Sequence, residues 1–360
     1  MAKWKKCTLG DLVTFQRGHD LPRTQMKAGD YPVIGSNGII GYHNAYTTEA
    51  PSITVGRSGN VGKPFIYYGR TWSHNTSLYI KDFKGNDPVF IYYFLQTLNL
   101  THYAGGSAVP TLNRNHIHAL DVCVPCDVND QRTIGRYLQL LDEKITENQN
   151  INKNLEQQAL AIFRQYFMDF APYGGVAPSD WMEVSLDDVC IRITDGSHYS
   201  PADSPDSPYP MYSVKDMETY GFNSSTCKHI TEDEFRKMKK SDCVPLLNDI
   251  LVAKDGSYLK EIFICSEEKE EAILSSIAIF RPNTSVIMPE ILLYFLKQPS
   301  VRKDVGDNYV SGSALPRIVL KDFKKYRLTL PTMNEQLKIG SVLHAIRMQT
   351  KANIDEIQRL

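Results

Sequence analysis

Four short stretches carry residue types that do chemistry in other proteins, and their spacing decides what each can do here. Gly56-Arg57-Ser58-Gly59-Asn60-Val61-Gly62-Lys63-Pro64 approaches the phosphate-cradling pattern Gly-x-x-x-x-Gly-Lys-Ser/Thr. Arg57 stands where the first Gly belongs, and Pro64 replaces the hydroxyl residue that would hold a magnesium ion. Nucleotide binding is therefore excluded. What remains is a turn with unpaired backbone N–H groups and the side chains of Arg57, Ser58, Asn60 and Lys63, which suits contact with DNA phosphates and base edges. The competing reading is a plain hairpin turn. Lys254-Asp255-Gly256-Ser257 is its counterpart later in the chain, with the same two readings.

The other three stretches fail as enzyme sites. Cys123-Val-Pro-Cys126 is a single Cys-x-x-Cys without a second pair, so neither a zinc site nor a redox site follows. Asn115-His116-Ile117-His118 lacks a third ligand and a general base at any recognisable spacing, which leaves no metal-nuclease chemistry. Asp206-Ser207-Pro208-Tyr209 resembles the Asp-Pro-Pro-Tyr loop of amino-methyltransferases, but Ser207 replaces the first Pro and no Gly-rich cofactor loop precedes it. We expect no catalytic residues, no metal and no cofactor.

Small polar and basic residues recur in places that suit nucleic acid. Asn75 and Thr76 in Ser73–Ser77, and Ser275 and Ser276 after Leu274, precede matched strands; an Asn can read an adenine edge and hydroxyls can hold phosphates. Ser107 and Arg114 lie in a small-residue stretch whose later counterpart holds Ser313, and strand-edge turns are the alternative at all these positions. Arg317, Lys321, Lys324, Lys325 and Arg327, with only Asp322 against them, form the clearest basic cluster, unless they make a solvated face. Ser197 and His198 fall in what reads as a variable insertion running from Ser197 to about Lys240, which contains the Pro/Ser/Asp-rich loop Ser200–Pro210.

Those side chains need elements to hold them. The chain has 360 residues, 42% apolar and 22% charged, enough for two or three cored domains of ordinary composition. Its net charge of −1 excludes a uniformly basic nucleic-acid binder, so DNA contact must come from local patches or with a partner's help. Seven scattered cysteines read as reduced thiols. No signal pattern and no apolar run of roughly 18 residues is present, so a cytoplasmic protein without membrane contact is expected.

Two heptad stretches organise the rest. Ile134, Leu138, Leu141, Ile145, Asn148, Asn152, Leu155, Ala159, Ile162 and Tyr166 step by fours and threes, as do Ile339, Leu343, Ile346, Thr350, Asn353, Ile357 and Leu360. Both seams are polar in the middle, where Asn148, Asn152 and Asn353 either fix register or mark a splayed, solvated stretch. The first helix, roughly 40 residues at about 1.5 Å each, makes a rod about 60 Å long. Neither helix can bury its seam alone, so the two are expected to pair, antiparallel.

The chain is also internally duplicated. Trp4–Val13 is answered by Trp181–Cys190, Ile53–Gly59 by Ile250–Gly256, Pro88–Leu95 by Pro289–Leu296, Gly106–Pro110 by Gly312–Pro316, and Asn129-Asp-Gln131 by Asn334-Glu-Gln336. Short alternating runs separated by Gly/Asn/Ser turns make each copy an α+β domain followed by a helix. The expected division is a first domain at 1–127, a helix at 128–170, a linker at 171–180, a second domain at 181–332 and a second helix at 333–360. Two similar domains related by a pseudo two-fold and spaced by paired helices suit a split, asymmetric DNA target.

In this layout, in the Gly-Ser-Ala-Val/Leu-Pro stretches and in the Pro followed by Asn-x-Gln at each helix start, the chain resembles the specificity (S) subunit of type I restriction–modification systems. Tyr31–Tyr42 followed by Gly56–Gly62 looks like the opening of one of that family's target-recognition domains. The resemblance covers nearly the whole chain, except that the second helix has no counterpart to Ala159–Phe170. It implies two target-recognition domains that each read part of a split double-stranded DNA sequence, and two helical regions that dock methyltransferase subunits, two in number. Restriction and translocase subunits would be further partners, and the chain itself would be non-catalytic. The alternative is a coiled-coil scaffold whose α+β domains bind protein partners.

Overall fold

The computed structural model describes residues 3–105, 110–312 and 314–360. It divides into two units, Met1–Thr146 and Glu147–Leu360. In the first, Trp4–Thr8 pairs antiparallel with Asp121–Pro125, so the opening and closing strands of the copy lie side by side just before the first long helix. Thr14–Arg17, Ser77–Asp82, Ser52–Gly56 and Pro64–Tyr67 form, in that order, a four-stranded antiparallel sheet. Its Ser52–Gly56 strand is buried along its whole length. One set of its side chains, Ile53 and Val55, joins a core with Phe15, Leu78 and Ile80 and with Phe90, Ile91 and Leu95 of the helix Pro88–Thr97. Buried hydroxyls nearby satisfy one another, Ser52 with Thr71 and Thr48 with Ser73, each at 2.7 Å. Tyr31–Gly35 lies antiparallel to Gly38–His43 and parallel to Trp72–Ser73 in a second, three-stranded sheet.

The second unit repeats this strand for strand. Met182–Ser185 pairs with Arg327–Leu330. Cys190–Asp195, Ile277–Pro282, Ile250–Ala253 and Ile262–Ile264 make the four-stranded sheet. Tyr209–Tyr212 runs parallel to Ala272–Ile273 and antiparallel to Lys228–Ile230. The repeat corrects the expected insertion. Gly196 and Tyr212 occupy the places of Gly18 and Ile34 with the same number of residues between, so the Ser200–Pro210 loop has an equal-length counterpart. The extra residues follow Tyr212: the hairpin Met217–Glu218/Gly221–Phe222 and the helix Glu232–Lys240 lie on either side of the strand Lys228–Ile230, which pairs with Tyr209–Tyr212 as Gly38–His43 does with Tyr31–Gly35. That helix is placed by Phe235 and Met238, which bury beneath its charged outer face.

The long helices are Val128–Phe167 and Met333–Arg359, of 40 and 27 residues. Each is tied to its own domain by the Gln of the Asn-x-Gln motif, only 1% exposed in both copies. Gln131 accepts from the Asp87 amide at 3.0 Å and donates to Asn86 Oδ1 and the Pro125 carbonyl. Gln336 accepts from the Met288 amide at 2.9 Å and donates to the Val286 and Pro331 carbonyls. One turn further, Gly135 and Gly340 allow close packing: a Cβ on Gly135 would lie 2.7 Å from the Phe90 backbone N, and one on Gly340 2.5 Å from Met288 Sδ.

Within the second unit the helices pair as the heptads require. Asn353 Nδ2 donates to Asn152 Oδ1 at 2.7 Å and Asn148 Nδ2 to Glu356 Oε2 at 2.8 Å. One number rises as the other falls, so the pair is antiparallel. All three Asn side chains are buried, which favours register over a splayed seam. Toward the domain, Ala159 and Phe163 pack in one core with Ile339 and Leu343, while Leu155, Ile346 and Ile357 are half-buried. In the first unit Ile134 packs on the domain core, and Leu138, Leu141 and Ile145 are half-buried. The architecture is α+β: each copy is a domain of short strands followed by a long helix, and within the second unit the two long helices pair as an antiparallel coiled coil. The segment after the first helix is not a loose tether: Phe167, Phe170 and Tyr173 surround Trp181 at ring distances of 5.2 to 5.9 Å. Among the described residues no helix is long and apolar enough to cross a membrane.

Candidate nucleic-acid interface

In each domain the polar stretches singled out from sequence meet at one junction, wired by main-chain hydrogen bonds. In the first, the Arg57 and Ser58 amides both donate to the Thr76 carbonyl, at 2.9 and 3.1 Å. The Leu112 amide donates to the Arg57 carbonyl at 2.8 Å, which draws in the strand that precedes Arg114. The Gly18 amide donates to the Ser77 carbonyl and the His19 amide to the Ser73 carbonyl, at 3.0 and 2.7 Å. In the second domain every bond has its twin. The Lys254 and Asp255 amides donate to the Ser276 carbonyl, Ile318 to Lys254, Gly196 to Ile277 and Ser197 to Ile273, at 2.9 to 3.3 Å, and Gly256 donates to Pro316 at 2.7 Å. Even the hydroxyls match: Thr76 Oγ1 accepts the Ser36 amide at 3.3 Å and Ser276 Oγ the Val214 amide at 3.0 Å.

Gly18 and Gly196 are required by this wiring. A Cβ on Gly18 would sit 2.1 Å from the His74 carbonyl oxygen, and one on Gly196 2.2 Å from that of Ile273. No side chain fits there, so the chain on either side is pinned against the 73–77 or 273–277 turn.

The side chains at the junctions differ. Arg57 is half-buried and its Nη1 reaches the Asn75 carbonyl at 3.5 Å, a long contact. Burial and the neighbouring Arg17 charge both pull its pKa down. Asn75 Nδ2 donates to Asp20 Oδ1 at 2.6 Å. Asn60, Lys63 and Arg114 are exposed. In the second domain, by contrast, Lys254 is buried at 6% exposure, and its ammonium is 2.6 Å from Asp195 Oδ2 and 3.8 Å from Asp255 Oδ1. His198 is exposed and approaches the same Asp195 oxygen at 3.3 Å. Asp255 Oδ1 is buried without a hydrogen bond. Ser257 and Arg317 are exposed and Ser197, Ser275 and Ser276 half-buried, with Arg317 bridged to Asp255 through the main chain.

The fold thus joins Arg57, Ser58, Asn75 and Thr76 at one junction and Ser197, Lys254, Asp255, Ser275, Ser276 and Arg317 at the other. Ser107 and Ser313 lie outside the described residues. The basic stretch Arg317–Arg327 is divided: Arg317 joins the junction, while Lys324 lies 3.9 Å from Asp187 and Arg327 donates to the Glu183 carbonyl at 2.7 Å. His118 has structural work, since its Nε2 accepts the Phe15 amide at 2.9 Å and its burial holds the ring neutral to lower pH. Among the described residues no three His, Cys, Asp or Glu side chains are grouped to hold a metal. Sequence reasoning passed over Arg17, Asp20 and Ser36. Alignment of the copies supplies the signal, because Arg17-Gly18-His19-Asp20 falls on Asp195-Gly196-Ser197-His198.

Comparison with known proteins follows the same division into halves. The profile of the family described as "Type I restriction modification DNA specificity domain" matches residues 1–157 and again 178–359. A Haemophilus influenzae chain named as a type I restriction enzyme specificity subunit is 20% identical over 90% of this chain and 82% of its own length. The MjaIX specificity subunit of Methanocaldococcus jannaschii is 21% identical over 71% of this chain and 62% of its own. In fold, the crystal structure of a type I restriction–modification S subunit from M. genitalium is similar with a TM-score of 0.65, at 15% identity, over 99% of this chain and 93% of that one. With the profile matched once over each of its two copies, the chain belongs to the type I restriction modification DNA specificity family.

Proposed function

We propose that this chain is the DNA sequence-recognition subunit of a type I restriction–modification complex, reading a bipartite, asymmetric target and docking two methyltransferase subunits, with restriction and translocase subunits as further partners. The carrying observation is that each domain gathers polar turns from distant segments at one junction whose wiring is the same but whose side chains differ. Two frames of one design with different side chains suit two unlike half-sites. The exposed residues Asn60, Lys63 and Arg114 in the first domain, and His198, Ser257 and Arg317 in the second, are the candidate DNA ligands, together with the half-buried Ser58 and with Asn75, Thr76, Ser107, Ser197, Ser275, Ser276 and Ser313. The long helices supply the docking surface for the methyltransferase subunits, and the chain does no chemistry of its own in the cytoplasm.

A genome-wide map of N6-methyladenine, with and without this gene and with the methyltransferase co-expressed, tests the reading. A split motif that vanishes on deletion supports it. Unchanged methylation under co-expression counts against it.

A further inference from the structure

At the centre of the two junctions, equivalent positions carry opposite chemistry. Arg17 and Asp195 occupy the same place, one residue before the pinned glycine, and Ser58 and Asp255 occupy the same place after the central cation. Arg57 has cationic Arg17 beside it, and among the described residues no carboxylate forms an ion pair with it. Among the described residues its guanidinium makes no hydrogen bond besides the long contact to the Asn75 carbonyl, so donors remain for a ligand. Lys254 is enclosed between Asp195 and Asp255, so its charge is spent inside the protein. Asp255, 13% exposed at its side chain, has one oxygen without any hydrogen bond. That oxygen is buried against the Lys254 ammonium, so a ligand donor would meet the exposed remainder of the carboxylate, and two carboxylates around one ammonium leave the junction with acceptor character. Asp20, His198 and Arg317 also stand at the junctions and do not reverse this contrast: Asp20 is engaged by Asn75, His198 lies exposed against Asp195, and Arg317 is exposed.

We propose that the two recognition domains read G·C pairs from opposite edges, the first through Arg57 donating to guanine O6 and N7, the second through Asp255 accepting from the cytosine N4 amino group. The inference rests on the DNA-reading function and names the specificity residues within it. Arginine presents two parallel donors that match guanine in the major groove, and a carboxylate matches the cytosine amino group. Removing either partner should lower base discrimination at one position about tenfold to a hundredfold. The other half-site in the same chain serves as the control for folding.

The experiment maps methylation motifs in cells that co-express the methyltransferase with wild-type chain, Arg57→Gln or Asp255→Asn. Arg57→Gln should relax one G·C position in one half-site and leave the other half unchanged. Asp255→Asn should relax one G·C position in the opposite half-site only. With the assembled complex in vitro, 7-deazaguanine at the relaxed position should weaken binding of wild type and not of Arg57→Gln. N4-methylcytosine should act likewise on wild type and not on Asp255→Asn. A wild-type split motif with both variants reading it unaltered, or relaxed at A·T pairs, overturns the inference and leaves the DNA-reading function standing. Absence of any motif with wild type overturns both.

Discussion

The side-chain amide of Asn353 donates to the amide oxygen of Asn152 at 2.7 Å, across a sequence separation of 201 residues. Both groups are buried in the seam of the antiparallel helix pair, where an apolar residue would bind more strongly but would not distinguish one register from its neighbours. Asn152→Leu should therefore cost about 1–3 kcal/mol by stranding the Asn353 amide. The double replacement Asn152→Leu/Asn353→Leu should recover most of that loss. A double-mutant cycle by urea denaturation measures the coupling, and additive single effects would show that the hydrogen bond contributes nothing.

The two helix glycines make a paired test. The Cβ of Gly135→Ala meets main chain at Phe90, which cannot move away, whereas that of Gly340→Ala meets the flexible end of Met288. Gly135→Ala should cost about 1–3 kcal/mol and Gly340→Ala distinctly less. Thermal melts of the two variants check the order, and equal losses would contradict the packing described.

Lys254 and Arg57 hold the same place with different surroundings. Lys254→Met leaves Asp195 and Asp255 facing each other without a cation, at a cost of about 3–5 kcal/mol. Among the described residues Arg57→Met breaks no ion pair, and it should change stability by no more than about 1 kcal/mol. Chemical denaturation separates the two, and a tolerant Lys254→Met would mean that the enclosed pair is dispensable.

Glu271 makes a pH-dependent prediction. Burial raises its carboxyl pKa, Lys269 offsets part of the effect, and Glu267 adds to it. The folded protein then holds this proton to higher pH than the unfolded chain, so stability falls as pH rises through the folded value. Glu271→Gln should raise the melting temperature at neutral pH, with the gain vanishing below the ordinary glutamate range, where both states are protonated. A gain independent of pH would trace to packing instead.

The near-neutral chain, at net charge −1, supplies little phosphate neutralisation of its own. The isolated protein should bind duplex DNA weakly, in roughly the micromolar range or above at physiological salt, with affinity falling steeply as salt increases. Titration by fluorescence anisotropy at several salt concentrations is the measurement. Nanomolar specific binding by the chain alone would contradict the expectation.

The heptads and the duplication were legible in sequence because they are periodic, and periodicity survives divergence. Ile134, Leu343 and the buried asparagines could be placed on a seam from spacing alone, and the Asn-x-Gln motif marked the helix starts. The role of Gln131 was not legible, since its partners Asn86 and Pro125 are brought to it only by the fold. The insertion was begun too early because composition guided it: its extra residues lie within the expected 197–240, but the Pro/Ser/Asp-rich loop that looks added has a counterpart of equal length and different make-up in copy one. The junctions were half legible. Each turn was visible as a turn, but their convergence depends on main-chain bonds between segments around 18, 57, 76 and 112, which leave no trace in side-chain pattern. The burial of Lys254 was hidden for the same reason, because Asp195 is distant in sequence and stood outside the basic-cluster logic.

Because those bonds run from amide to carbonyl, they are indifferent to which side chains the junction residues carry. Arg17 has become Asp195, Ser58 has become Asp255 and Thr111 has become Arg317 without one of them being lost. Stability and target preference are thereby written in separate parts of the same residues, the first in the backbone and the second beyond Cβ. Exposed positions such as Asn60 and Ser257 can then change by single substitutions that leave this wiring intact, whereas the pinned glycines and the enclosed Lys254 cannot.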